Sequence, residues 1–252
     1  MLQRVFHSLN QTEGKRMKLT GNIPNGVSEE KYISEISKIP KEIITTNGKL
    51  KKDHIGLLSI PALYGTILEN GSLKDFTTCP GAGVCARFCY AQKGFYSMKL
   101  VKLSQNRKLQ FILDSMHDPK KLEIFSAMVY SDILRNGYNT IRIHDSGDYF
   151  SVPYFNFLSK YLINKFPNIQ FYSYTKNIPM FLSLMKRNRI PENLKLIFSE
   201  GSKFDSMIPE DMAHSRIFKD RESLVRAGYI DCSESDLIAS VPEHKKIGLI
   251  FH

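Results

Sequence analysis

The feature that most constrains the fold is an alternation of strand-like and helix-like segments in the second half of the chain. Short β-branched or aromatic runs occupy residues 140–144, 169–174 and 194–198, and apolar residues at helical spacing fill 152–166 and 178–187 between them. Such alternation with short connections indicates a parallel sheet wound through right-handed crossovers. The sequence therefore predicts an α/β fold.

Further segments extend this pattern in both directions. Residues 97–117 and 121–135 read as helices, and 55–61, 215–219 and 248–251 as additional strands. Five to seven strands fit either an open doubly wound sheet or a partial barrel. No Gly-x-Gly-x-x-Gly follows the first strand, so a dinucleotide-binding fold has no positive support. We predict an N-terminal extension over residues 1–55, with one helix capped by Ser28 and ended by Pro40, and an α/β metal-cluster domain over 56–252.

Charge and hydropathy bear on compartment and partners. No apolar run approaches the roughly 20 residues of a membrane helix, and residues 1–19 lack a secretory apolar core, so we expect a cytoplasmic protein with no membrane partner. The formal charge is +10, which favours a polyanion such as nucleic acid. The alternative is a basic surface with no partner, because Lys and Arg are scattered in short runs.

Three of the four cysteines fall within eleven residues, in the spacing Cys79-x5-Cys85-x3-Cys89. A reducing compartment argues against disulfides. Structural zinc sites use closer pairs of cysteines, whereas a multi-iron cluster binds thiolates on separate iron atoms and tolerates irregular loops. We therefore expect an iron–sulfur cluster, with zinc and a metal-free loop as alternatives. Cys232 is either a fourth ligand or a plain buried thiol.

Polar residues follow the predicted strands, where α/β folds bind their ligands. A His, carboxylates and a Gly at such strand ends suit ligand binding. Four of the candidates have a structural alternative. Residue 144 could be a core histidine, residue 148 could cap a helix, and residues 176 and 200 could be ordinary or mutually paired loop charges. The candidates are His144, Asp145, Ser146, Gly147, Asp148, Tyr174, Lys176 and Glu200.

Several motifs together resemble the phage-borne gene product 88 family, over about residues 56–252. The resemblance implies kinship more than a reaction, and it implies the cytoplasm of the host cell if the chain is phage-encoded. The motifs are Thr78-Cys-Pro-Gly-Ala82, Cys85-Ala-Arg-Phe-Cys89-Tyr-Ala91, Lys93-Gly-Phe-Tyr96, Gln105-Asn-Arg107, Ile141-Arg-Ile-His-Asp-Ser-Gly-Asp-Tyr-Phe-Ser151 and Tyr174-Thr-Lys176.

A more distant resemblance is to radical S-adenosylmethionine enzymes, which carry a three-cysteine loop after the first strand of a partial (β/α) barrel and a Gly-Gly-Glu-like motif after the second. It implies a [4Fe–4S] cluster on the three clustered cysteines, with one open iron that binds S-adenosylmethionine. It also implies an electron donor as partner. The spacing here departs from the usual Cys-x3-Cys-x2-Cys, and Asp148 stands in the Glu position.

This resemblance assigns roles to the candidates at the strand ends. Ser146, Gly147 and Asp148 would bind the cofactor, with the Asp148 carboxylate on its amino group. The net charge and the phage-like kin point to a nucleotide or nucleic-acid-related substrate, which would contact five side chains. The alternative is a non-catalytic, regulatory nucleic-acid-binding protein, in which a four-cysteine cluster or zinc only stabilises the loop. The five side chains are His144, Asp145, Tyr174, Lys176 and Glu200.

Overall fold

A computed structural model describes residues 26–250, and its main element is a seven-stranded, entirely parallel sheet in the order β1-β4-β5-β6-β7-β9-β8. Up to β7, each new sheet strand adds to the same side of the previous one, so the sheet curls into a half-barrel. The α/β prediction is confirmed, and of its two architectures the half-barrel is the observed one. The strands are β1 (Ile55–Leu58), β2 (Tyr64–Glu69), β3 (Ser72–Thr77), β4 (Thr140–Ile143), β5 (Gln170–Thr175), β6 (Leu194–Ser199), β7 (His214–Phe218), β8 (Ile230–Asp231) and β9 (Lys246–Ile250).

Eight α-helices and five 3-10 helices lie in the described part of the chain. The predicted helices are confirmed, although most end a few residues earlier than predicted. The α-helices are α1 (Glu29–Ile36), α2 (Gly48–Lys51), α3 (Lys99–Ser115), α4 (Pro119–Asn136), α5 (Val152–Tyr161), α6 (Ile178–Met185), α7 (Arg221–Arg226) and α8 (Leu237–Ser240); the 3-10 helices are Val84–Phe88, Tyr90–Gln92, Gly94–Ser97, Ile163–Lys165 and Asp205–Met207.

One face of the sheet packs against the long helices and forms the main core. Ile141 and Ile143 of β4 point to this face, where Phe155 of α5 and Phe181 of α6 meet edge to face with ring centroids 5.1 Å apart. All four side chains are fully buried. Alternate residues of each strand therefore hold α3 to α6 on the convex side.

The concave face is covered by the C-terminal part of the chain. Tyr172 and Ile197 point to this side and share a buried cluster with Cys232 and Ala239. Asp236 reaches the same face, where its carboxylate pairs with Arg142 of β4 at 2.6 Å and with Lys49 at 2.7 Å. Residues 232–240 therefore close the inside of the half-barrel beneath the strand ends.

The described part of the predicted N-terminal extension packs onto the α/β core. The backbone amides of Ile43 and Ile44 donate to the buried Asp132 carboxylate at 2.7 and 3.0 Å, and Thr45 forms an antiparallel bridge with Leu57 of β1. The boundary between residues 55 and 56 remains a prediction, and residues 1–25 and 251–252 lie outside the described residues. Across residues 26–250, no helix is long and apolar enough to cross a membrane.

Candidate metal centre

The three clustered cysteines lie in one irregular loop. Cys79 follows β3, Cys85 lies within the 3-10 helix Val84–Phe88, and Cys89 separates that helix from Tyr90–Gln92. All three are free and half-buried. The expectation that this loop directly follows the first strand is wrong, because the β2–β3 hairpin intervenes.

The loop is bound to the residues that follow β6. The amides of Gly83 and Cys85 donate to the Gly201 carbonyl at 3.0 and 3.3 Å, and Ala82 forms an isolated antiparallel bridge with Ser202. The Ser202 hydroxyl donates to the Gly81 carbonyl at 3.0 Å. It also lies 2.8 Å from the carbonyl of residue 176, just after β5. The cysteine loop therefore sits on the carboxyl ends of β5 and β6.

Two glycines allow this close approach. A Cβ atom on Gly81 would lie 2.1 Å from the Lys176 carbonyl oxygen, and one on Gly83 would lie 2.6 Å from the Ser202 carbonyl carbon. Both contacts are with backbone atoms, which cannot rotate away. Glycine is required at both positions, and Ser202 holds the cysteine loop although the sequence did not reveal it.

The thiols act on one another and on nearby charges. Burial and the neighbouring Asp148 and Cys89 raise the pKa of Cys79, and the Leu63 amide, 3.2 Å from Sγ, lowers it, with a net value of about 12. Burial also raises the pKa of Cys89, as does Cys85, whereas the Lys176 ammonium lowers it. The Leu63 amide and the Lys176 ammonium thus offset part of the free-energy cost of ionising the buried thiols. The thiolate is the form that binds metal.

Asp148 ties the end of β4 to the end of β5. Its Oδ1 accepts from the Tyr149 amide at 2.7 Å and the Thr175 hydroxyl at 2.8 Å, and its Oδ2 accepts from the Lys176 amide at 2.8 Å. The Asp148 amide in turn donates to the Thr78 carbonyl at 3.2 Å, beside Cys79. Burial raises the pKa of Asp148 to about 6, and the hydrogen bonds moderate the rise.

Ser146 and Gly147 contact the chain that follows β1. The Ser146 hydroxyl donates to the Ile60 carbonyl at 2.7 Å and receives a hydrogen bond from Gln105 at 2.9 Å. Gly147 has φ +79°, and a Cβ there would lie 2.3 Å from Ile60 Cγ1. The predicted cofactor loop is therefore held rigidly at the edge of the cysteine site.

His144 lies inside the core, below the strand ends. It is 2% exposed, its Nε2 lies 2.9 Å from the Tyr154 hydroxyl, and its ring meets Tyr149 edge to face at 4.6 Å. Burial lowers the pKa of His144 to about 3. The structure therefore places this candidate among core aromatics, and its substrate role remains a prediction.

Asp145 is also buried, but it points toward the loop. Its carboxylate accepts hydrogen bonds from Ser59, from Tyr96 at 2.5 Å and from Asn47 at 3.3 Å. The Tyr90 hydroxyl donates to its backbone carbonyl. Asp145 thus anchors two tyrosines of the cysteine loop, a connection that the sequence did not reveal.

The remaining strand-end candidates separate into two groups. Lys176 joins the cysteine site, where its ammonium donates to Ser199 at 2.5 Å and acts on Cys89. Glu200 instead pairs with Arg216 at 2.7 Å, so Lys176 and Glu200 are not each other's partners. Tyr174 lies on the concave face, with the Arg142 guanidinium 5.0 Å from its ring centroid.

Cys232 is placed apart from the loop cysteines. It is fully buried in the apolar cluster of the concave face, and burial and the nearby Asp236 together raise its pKa to about 12. Lys195 and Lys49 act in the opposite direction. This environment is that of a buried thiol, and its role as a fourth ligand remains a prediction.

Between residues 26 and 250, no three His, Cys, Asp or Glu side chains are grouped closely enough to hold a metal ion. A tetrahedral zinc site would need thiolate sulfurs about 3.8 Å apart, given Zn–S bonds of about 2.3 Å. Ligands of a multi-iron cluster bind separate iron atoms and stand farther apart. In the described residues the cysteine loop therefore does not form a single-ion site as it stands, and the identity of any metal group that it holds remains a prediction.

Comparison with known proteins identifies one family. The family described as gene product 88 matches residues 36–247, which is most of the chain. No curated protein and no solved structure gives a significant match. The matched region contains all four cysteines and every strand-end candidate described above. The chain therefore belongs to the gene product 88 family.

Proposed function

We propose that Cys79, Cys85 and Cys89 hold a [4Fe–4S] cluster in an enzyme that binds S-adenosylmethionine and acts on a nucleotide or nucleic-acid-related substrate. The observation that carries the proposal is the set of three free, electrostatically coupled thiols in one loop at the carboxyl ends of parallel strands. This is the position at which α/β barrels build their active sites.

The surroundings of the loop favour a cofactor made of thiolates and sulfides. The sequence contains no Asp or Glu from residue 76 to residue 113. Lys176 faces Cys89, and the Leu63 amide donates to Cys79. Cations and amides beside a cluster offset its negative charge and tune its potential.

The arrangement around Asp148 supports the S-adenosylmethionine part of the proposal. Asp148 follows β4, the neighbour of β1 in the sheet, and interacts with Cys79. A carboxylate has about four acceptor positions, so three internal hydrogen bonds leave one for an amino group. A bound cluster with three protein ligands supplies one-electron chemistry and one iron open to a cofactor. Asp148 would orient the amino group, and Ser146 would fix the loop backbone through Ile60.

The hydrogen bonding of Asp148 also favours a second candidate. Its three internal bonds are sufficient for a purely structural role, which suits a regulatory nucleic-acid-binding protein with a stabilising four-cysteine cluster or zinc. That candidate requires Cys232 to leave its apolar cluster and join the loop cysteines. The two candidates therefore make opposite predictions for Cys232.

Anaerobic purification followed by iron, sulfide and zinc analysis tests the proposal. We expect about four irons per chain. Cys79→Ala, Cys85→Ala and Cys89→Ala should each lose the iron, while Cys232→Ala keeps it. Added S-adenosylmethionine should change the electron paramagnetic resonance signal of the reduced protein. Stoichiometric zinc without iron after reconstitution would contradict the proposal, and iron loss in Cys232→Ala would favour the structural candidate.

A further inference from the structure

We infer that the exposed face of residues 87–102 docks single-stranded nucleic acid, an inference that rests on the proposed function and names the form of its substrate. This aromatic-basic surface comprises Arg87, Tyr90, Lys93, Phe95 and Lys102, all of them exposed. It begins two residues after Cys85 and continues into the first turn of α3.

Every charged side chain in this region is a cation, and Arg107 is paired with Glu35 at 2.6 Å. Residues 76–113 contain six Lys or Arg and no Asp or Glu. Within the described range 26–250, no carboxylate forms an ion pair with Arg87, Lys93 or Lys102. Arg87, Lys93 and Lys102 are exposed and therefore present positive charge to a polyanion.

The same region exposes the aromatic rings of Tyr90 and Phe95, and the ring of Tyr90 is fixed at its hydroxyl end. Tyr90 is 57% exposed, yet its hydroxyl donates to the buried Asp145 carbonyl, so the ring is anchored while its body faces solvent. Phe95 is 69% exposed and meets Tyr96 edge-on, with centroids 6.5 Å apart. Anchored rings lose little entropy when a base stacks on them.

Together these features select one class of partner. Phosphates need cations, and unpaired bases need aromatic faces; a single strand offers both at short intervals. A duplex hides its base faces, and an acidic protein would satisfy the cations without using the rings. Because Tyr90 is adjacent to Cys89, a strand on this surface would bring a base to the mouth of the cysteine site.

Fluorescence anisotropy with labelled oligodeoxythymidine of roughly 20 nucleotides tests the inference, since site sizes span about 4–16 nucleotides. We expect Phe95→Ala to weaken binding about tenfold, because each stacked base contributes substantially. The double variant Arg87→Gln/Lys93→Gln should lower the slope of log affinity against log salt by about two. Unlabelled duplex DNA of the same length should compete poorly with the labelled single strand.

Matched controls are exposed residues outside the range 87–102. Tyr130→Ala removes a ring that is 58% exposed on α4. The double variant Lys120→Gln/Lys165→Gln removes two exposed positive charges, as Arg87→Gln/Lys93→Gln does. Three outcomes would overturn the inference. The control variants lose as much affinity as the variants of residues 87–102, or the wild type does not bind the oligonucleotide. The third is that duplex DNA binds as tightly as the single strand and Phe95→Ala does not change its affinity. Iron is measured on every sample: iron without oligonucleotide binding overturns only this inference, and binding without iron overturns only the cluster.

Discussion

The Asp148 carboxylate accepts a hydrogen bond from the Lys176 backbone amide at 2.8 Å, which joins the loop after β4 to the end of β5. The same side chain also accepts from Thr175. The Lys176 ammonium lowers the pKa of Cys89, so this bond anchors the backbone of a residue whose cation acts on a thiol of the cysteine loop. A single carboxylate thus couples the predicted cofactor loop to the predicted metal loop.

Replacing Asp148 should therefore destabilise the strand ends. Asp148→Asn places an amide donor against the Lys176 amide or the Thr175 hydroxyl, and a buried unsatisfied donor costs about 1–3 kcal/mol. The pKa of Asp148 is raised from 3.8 to about 6, so the folded state binds its proton more tightly than the unfolded state. The free energy of unfolding of the wild type should exceed that of Asp148→Asn by less as pH rises from 4 to 6. Urea unfolding at several pH values measures this difference in unfolding free energy. A difference that grows with pH would contradict the raised pKa of Asp148.

His144 should make folding sensitive to acid. Burial lowers its pKa from 6.5 to about 3, so the unfolded state binds more protons between these values. Stability should fall as pH decreases through this window, by up to about 1.4 kcal/mol per pH unit. His144→Phe cannot take up the proton, and its unfolding free energy should depend less on pH. The same substitution at the exposed His117 should leave the slope unchanged.

Gly81 should tolerate no side chain. In Gly81→Ala the new Cβ would meet the Lys176 carbonyl oxygen at 2.1 Å, so the loop must shift at a cost of about 1–3 kcal/mol. We expect lower stability and, after reconstitution, less bound iron. Gly48→Ala is the control, because nothing lies within 4 Å of its Cβ. Equal iron content and stability in the two variants would show that the close approach at Gly81 is unimportant.

Asp236 should be essential for closing the concave face. It is 2% exposed and pairs with both Lys49 and Arg142. Asp236→Asn leaves two cations without their counter-charge, and breaking a buried ion pair costs about 3–5 kcal/mol. Thermal or urea unfolding measures the loss. The exposed pair between Glu222 and Arg226 provides the comparison, because Glu222→Gln should cost at most about 1 kcal/mol.

The periodic segments of this chain could be predicted because helices and strands carry local signals. Ser28 caps α1, and Gly137 ends α4 in the left-handed conformation, both as the sequence indicates. The β2–β3 hairpin was missed, although Asn70-Gly71 at its turn, with φ +51° and +77°, is a strong hairpin signal. Short elements such as β8 have too few residues to show a period.

The candidate site was predictable only in part, because its assembly depends on distant contacts. Cysteine spacing pointed to the loop, and the strand-end rule pointed to Asp148 and Lys176, which the structure places beside it; their functional roles remain predictions. Nothing in the local sequence shows that Ser202 bonds across 121 positions to Gly81, or that His144 turns into the core while Asp145 faces the loop. Neighbouring residues at a strand end point to opposite sides, so a shift of one position decides whether a side chain enters the core or faces the loop.

The bridge between Ala82 and Ser202 also sets an order of events during synthesis. The cysteines emerge early, but the segment that shapes their loop follows β6, more than a hundred residues later. Closing so long a loop is slow and entropically unfavourable until the intervening parallel strands have paired. We therefore expect the nascent chain to expose three unshaped thiols until that segment leaves the ribosome. Under the proposed function, cofactor insertion would be a late step, and arrested chains of increasing length should retain iron only once residue 202 has left the ribosome.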